Sequence, residues 1–205
     1  MEKSIFFFRR NPDRSPGEFD QHYINNHALL GKRLTRCLLG YTVNLLGGEG
    51  YPAAVTEHWV PYVMDLLTPK IAYETMDDFN VVLADDQSMF SGYELYVVKG
   101  ESQIVGGPIP PAPLETATPG IKLIERFADA TRLTQPQPGA VRVVDNAVSH
   151  KLIMGDDFIW KCSEPEFGIV RMSWFTDRNA IGEIGENDWL MQEYRFIAPP
   201  LWTEA

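Results

Sequence analysis

Ser15-Pro16-Gly17-Glu18-Phe19-Asp20-Gln21-His22-Tyr23-Ile24-Asn25-Asn26-His27, running on to Leu38-Leu39-Gly40, is the stretch that decides how this chain is read. Ser15 is a good N-cap, Pro16 suits the first helical position, and Glu18 completes a Ser-x-x-Glu capping box. Gly40 stands where a left-handed C-cap residue is expected. Between these ends Phe19, Tyr23, Leu30, Leu34 and Cys37 recur at spacings of three, four or seven, which is one face of a helix. At about 100° per residue, His27 falls about 60° from the centre of that stripe, and His22 lies nearer its rim. Histidine is the side chain whose unperturbed charge change lies nearest neutral pH, and one half under an amphipathic helix is placed to serve a pocket. A lone histidine on an apolar face is more often a hydrogen-bonded core residue, so its surroundings must carry any chemical argument.

Working outward, residues 3–10 form an aromatic run that reads as a buried strand, turned by Asn11-Pro12-Asp13. Residues 41–46 and 53–60 read as two further strands, separated by Gly47-Gly48-Glu49-Gly50 and ended by Pro61, a hairpin pattern. A helix is predicted over 76–84, with another turn toward Phe90. A fourth strand is predicted over 94–98, resuming at 103–105. The order strand, helix, strand, strand, helix, strand is the split β-α-β, or ferredoxin-like, arrangement: α+β, with both helices on one face of an antiparallel sheet. Then Gly106-Gly107-Pro108-Ile109-Pro110-Pro111-Ala112-Pro113 reads as a stiff linker. Four strand-like runs follow, at 121–127, 140–146, 168–175 and 189–197, with thin helical pieces between them. The expected organisation is a ferredoxin-like domain over 1–106, a proline-rich linker over 107–118, and a second, degenerate ferredoxin-like, β-rich half over 119–205. No side-chain motif is visible in both halves, so the repeat rests on strand order; the alternative is an unrelated β-rich extension.

Composition bounds the function. At 205 residues, 44% hydrophobic and 22% charged, the chain is an ordinary globular protein of one large or two small domains. A net charge of -10 argues against a nucleic-acid partner, whose phosphates want clustered Lys and Arg. Cys37 and Cys162 show no zinc-binding spacing, and read as free thiols in a reducing compartment. The run Ile5-Phe6-Phe7-Phe8 is too short for a signal-peptide core, and no long apolar stretch calls for a membrane, so a cytoplasmic location is expected. His22, His27, His58 and His150 form no metal-binding pattern. A phosphate-cradling loop and a G-x-S-x-G nucleophile elbow are both missing.

Residues 1–105 resemble the EthD family of the dimeric α/β-barrel superfamily. The residues that carry the likeness are Phe7-Phe8-Arg9-Arg10, the turn Asn11-Pro12-Asp13, the helix Ser15-x-x-Glu18-Phe19-x-x-x-Tyr23-x-x-x-His27, the pair Glu57-x-Trp59, and Leu83-Ala84-Asp85-Asp86-x-x-x-Phe90. Two departures stand out: Leu29 replaces the proline usual two residues after the helical histidine, and 61–75 looks like an insertion. The resemblance implies two ferredoxin-like units pairing their sheets into a barrel, with a pocket between each sheet and its helices. A one-unit chain does this as a homodimer; a chain with two units has the means to do it alone. Relatives include cofactor-free decarboxylases, dehydratases and cyclases acting on aromatic or polyketide-like acids. More distant members bind haem or oxidise phenols with dioxygen.

The resemblance and the residues together point to a cofactor-independent lyase for a hydrophobic small molecule. Elimination or decarboxylation needs one group to move a proton, another to hold an oxyanion, and the exclusion of water. His27 is the candidate acid or base, with Tyr23 and His58 as assisting catalytic residues. Arg9, Glu57, Trp59 and His22 are candidate substrate-binding residues. Strand alternation sends Glu57 and His58 to opposite faces and leaves open which one meets the helices. Asp85 and Asp86 read most simply as an exposed helix end. His150, Trp160, Trp174, Phe175 and Trp189 are better explained by core packing than by binding. A cofactor-free monooxygenase or cyclase, or a non-catalytic binding protein, are the alternatives.

Overall fold

In the computed structural model, which describes residues 1–109, 111–155 and 159–200, the aromatic run is β1 (Glu2–Arg10). Pro110 of the linker lies outside the described residues. Phe6 and Phe8 face the helices while Ile5 and Phe7 face the other way. Burial on both faces explains why β1 reads as a continuous apolar run instead of an alternation. The decisive helix is one rod in three parts: α1 (Pro16–His22), a π-helical turn (Tyr23–His27) and α2 (Ala28–Leu34). Its capping box is formed, with Glu18 N donating to Ser15 Oγ at 3.3 Å and Ser15 N to Glu18 Oε2 at 2.9 Å.

The rod ends earlier than Gly40 predicts. Thr35 is extended, and Arg36 N–H and Leu39 N–H donate to Ala72 O and Trp59 O, so neighbouring segments capture the chain. Gly40 instead opens β2 (Gly40–Leu45). A Cβ there would stand 2.8 Å from Pro200 Cδ and 2.9 Å from Trp59 Cε3, so close approach, not a helix cap, requires the glycine. β3 (Ala54–Val60) completes the hairpin. The insertion folds into two short turns, α3 (Val63–Leu66) and α4 (Pro69–Ala72), before α5 (Met76–Met89). β4 (Phe90–Gly106) is one long bulged strand where two runs were expected.

Beyond the linker come β5 (Ile121–Phe127), β6 (Arg142–Met154), the unforeseen β7 (Trp160–Ser163), β8 (Ile169–Phe175) and β9 (Trp189–Ile197). The helices of a full unit are reduced here to 3-10 turns at Ala130–Arg132 and Arg178–Ala180. The strand order is β4-β1-β3-β2-β9-β5-β8-β6, and a β4–β6 pairing closes the ring; β7 extends the end of β6. The first four strands have the ferredoxin-like order, and β9-β5-β8-β6 repeats it. Edges β2 and β4, which a one-unit chain would offer to a second copy, are taken within the chain by β9 and β6. The barrel is intramolecular.

Inside it, a side-chain motif does recur, contrary to the sequence reading. Lys3 lies opposite Trp59 and Lys122 opposite Trp174, each Nζ over its indole at 4.5 and 4.4 Å. Asn44 and Asn146 donate to Val55 O and Val170 O, both at 2.9 Å. These residues sit on different strands, so only the register reveals the pattern. Glu57 joins the halves by accepting from Lys3 at 2.8 Å and from Lys122. Burial raises its pKa, but the two ammonium groups outweigh that and hold its carboxyl at about 2.

Candidate functional site

The π turn sets the geometry of the site. In it Ala28 N–H reaches back to Tyr23 O, widening the helix by one residue. Tyr23 and His27 consequently share one face, their rings edge-to-face at 4.8 Å. His27 is 7% exposed and turned inward, with Phe90 edge-on at 5.1 Å. Its Nδ1 lies 2.8 Å from Asp85 Oδ2, and His22 Nε2 lies 2.6 Å from Asp85 Oδ1. One carboxylate of α5 thus holds two imidazoles of the first rod. Burial opposes its charge, but the hydrogen bonds and charges of His27 and His22 prevail and keep Asp85 below the usual carboxylate range. A charged Asp85 fixes Nδ1–H as the His27 donor, which leaves Nε2 as the free basic nitrogen.

Asp86 behaves oppositely. Its side chain keeps 44% of its surface, with Oδ1 3.6 Å from His27 Nδ1. Burial, helped by the charge of Asp85 and opposed by His27, pushes it up to about 6. The two neighbouring carboxyls are thus driven in opposite directions, Asp85 down and Asp86 up. Below them, the sheet contributes His58, which faces the helices; Glu57 faces the barrel interior, which resolves the alternation. His58 stacks on Tyr41 at 4.8 Å and meets Phe6 at 5.1 Å. Burial, and the charge of nearby His27, bring its pKa down to about 3, so it is a neutral hydrogen-bonding group. Its Nδ1 and the Tyr23 hydroxyl are buried without a hydrogen-bond partner, although the Tyr41 hydroxyl lies beside that of Tyr23.

The structure brings His22, Tyr23, His27 and His58 to the helix face of the sheet. It places Arg9, Glu57 and Trp59 on the other: Arg9 over the Tyr51 ring at 4.4 Å, Glu57 between two lysines, Trp59 under Lys3. His150 bonds its neighbour Ser149 at 2.8 Å, and Trp174 and Trp189 pack inside the barrel. Asp85, which the sequence reads as an exposed helix end, is instead turned to the first rod; Val82 and Met89, three residues before it and four after, are buried and mark that helix face as internal. The expected pocket beneath the first helix is packed with Phe8, Phe19, Tyr23, Tyr41 and Phe90. A groove of about 470 Å³ lies nearby, lined by Tyr93, Leu152, Met154 and Trp160 among others. Its Tyr93 wall touches Phe8 at 5.7 Å, and Phe8 stacks on Phe90 at 4.1 Å, so two rings separate the groove from His27. Among the described residues no cluster of His, Cys, Asp and Glu converges on a metal position; both histidines point at Asp85 instead.

No protein-family model matches the chain, and no curated protein does. Among solved structures, one described as a crystal structure study of an anthrone oxidase-like protein superposes with a TM-score of 0.50 at 10% identity, over 98% of this chain and 96% of that one. A chlorite dismutase from Candidatus Nitrospira defluvii gives a TM-score of 0.40 at 12% identity, over 94% and 90%, too low to carry an argument. What the first likeness shows is the fold. With the strand order above, this chain has the dimeric α/β-barrel fold, both units supplied by a single chain. No helix is long and apolar enough to cross a membrane among the described residues.

Proposed function

We propose that this protein is a cofactor-independent enzyme acting on a small hydrophobic, aromatic or polyketide-like molecule, with His27 moving the proton. The observation that carries the reading is the Asp85 carboxylate bound to His27 Nδ1 at 2.8 Å, with Nε2 left free among aromatic rings. Nε2 takes a proton from a carbon beside a substrate carbonyl, and Asp85 stabilises the imidazolium that forms. Tyr23 and His58 supply hydrogen bonds to the oxygen on which the negative charge collects. A flat substrate enters from the groove by displacing the Phe8–Phe90 stack.

The next step defines the reaction. In the lyase reading, which the EthD resemblance supports, the C–H electron pair expels a hydroxyl group; it leaves as water with the proton held on His27 or Asp86. Decarboxylation uses the same groups in reverse, His27 delivering a proton to the carbon that loses carbon dioxide. A second reading is oxygenation, in which the delocalised carbanion reacts with dioxygen; the anthrone oxidase-like neighbour of the same fold favours it. Incubation with hydroxylated aromatic ketones, followed by product mass and an oxygen electrode, separates the two. Water or carbon dioxide lost without oxygen uptake marks the lyase. His27→Ala should slow turnover at least about a hundredfold with the fold intact, and unchanged turnover would remove His27 from the mechanism.

A further inference from the structure

The two ends of the barrel hold their cations differently. β1 and β5 stand four antiparallel steps apart and so run the same way, which puts Lys3 and Lys122 at one end and Arg9 and Arg126 at the other. At the lysine end each ammonium has carboxylates: Glu57 and Glu101 for Lys3, Glu57 and Glu193 for Lys122. At the arginine end the guanidiniums rest on rings. Arg126 lies 4.6 Å from Trp189, 5.0 Å from Phe167 and 5.7 Å from Phe7, and Arg9 lies 4.4 Å from Tyr51. The two stacks adjoin, since Trp189 Nε1 donates to Tyr51 O at 3.0 Å and both arginines act on the Tyr51 hydroxyl.

The local carboxylates are already engaged. Glu94 accepts from Tyr51 at 2.7 Å and Lys151 at 2.9 Å; Glu166 accepts from Tyr96 at 2.6 Å and Lys151 at 2.7 Å. Among the described residues, neither the Arg9 nor the Arg126 guanidinium makes a hydrogen bond or an ion pair. Three cations face two carboxylates here among the described residues, a local excess of one positive charge in a chain whose net charge is -10. Ring stacking occupies the flat faces of a guanidinium and leaves its in-plane N–H fork unused, the geometry that takes a carboxylate through two parallel hydrogen bonds.

We propose that Arg9 and Arg126 together bind the carboxylate of a small organic acid at this mouth of the barrel, on the sheet face opposite His27. The site is independent of the proton-transfer reading. Benzoate titrated calorimetrically into the full chain, with inorganic phosphate in a parallel run, tests it. Saturable benzoate binding is expected, weakened at least about tenfold in Arg9→Gln and in Arg126→Gln, and unchanged in His27→Ala. Arg9 is exposed at a strand end, so Arg9→Gln decides the matter should Arg126→Gln fail to fold by circular dichroism. Absent benzoate binding, binding unaltered in a folded arginine variant, or phosphate bound more tightly than benzoate would each overturn the proposal.

Discussion

Asp85 accepts from two imidazoles at once, so its charge sets the tautomer of the nitrogen that does the proposed work. Asp85→Asn keeps the shape but removes the charge that favours the imidazolium; kcat should fall about a hundredfold or more while circular dichroism stays unchanged. Normal kcat in that variant would show the carboxylate to be structural. His58 offers a test by pH. Its pKa is about 3 in the fold against 6.5 when free, so the unfolded chain alone gains this proton as pH falls below 6.5. The group therefore removes stability progressively from 6.5 down toward 3 and has no effect above. Asp86 and Glu125, raised to about 6 and about 7, act in the opposite sense over part of this window. The difference between parent and His58→Phe isolates the histidine: the variant should lose less Tm between about pH 6 and 4, and parallel curves would contradict a buried neutral imidazole. At this scale the sequence revealed His27, because helical spacing alone turns it inward. It hid Asp85, because the partner that explains that carboxylate stands 58 residues away.

The π turn is the element on which the site depends. Deleting Asn25 should convert it to ordinary α-helix and shift His27 along the axis by about 1.5 Å, enough to break its bond to Asp85. Activity should drop at least about a hundredfold with little change in Tm, and retained activity would show that the wide turn is incidental. The caps of the rod were legible because Ser15, Pro16 and Glu18 act locally. Its end was not: the bond from Arg36 N–H to Ala72 O is tertiary, and it overrode the Gly40 signal. β9 has its expected bounds, whereas β4 and β6 are longer than local sequence indicates. They extend because each supplies the other's pairing partner along a seam, through Gly100 and Gly106, residues that punctuate a strand when read alone.

The whole molecule is tied across its two halves by Glu57, which both buried lysines share. Glu57→Gln leaves two ammonium groups short of charge in a dry interior, and should cost about 3–5 kcal/mol by urea unfolding. A loss below about 1 kcal/mol would mean that the network is solvated or easily rearranged. Strand order made the second unit legible, but its Lys–Trp and Asn repeats emerged only once strands were registered, since each pair is split between distant segments. The closed barrel gives α1 and α5 a rigid floor, and this is what brings His22, His27 and Asp85 together across the chain. The chemistry proposed for this assembly is removal of a proton from carbon. Deuterium exchange at the acidic carbon of an aromatic ketone, followed by NMR in heavy water, reads that step without requiring the later reaction to be known. The parent should accelerate exchange and His27→Ala should lose at least about a hundredfold of that acceleration; equal rates in the two folded proteins would exclude His27 as the base.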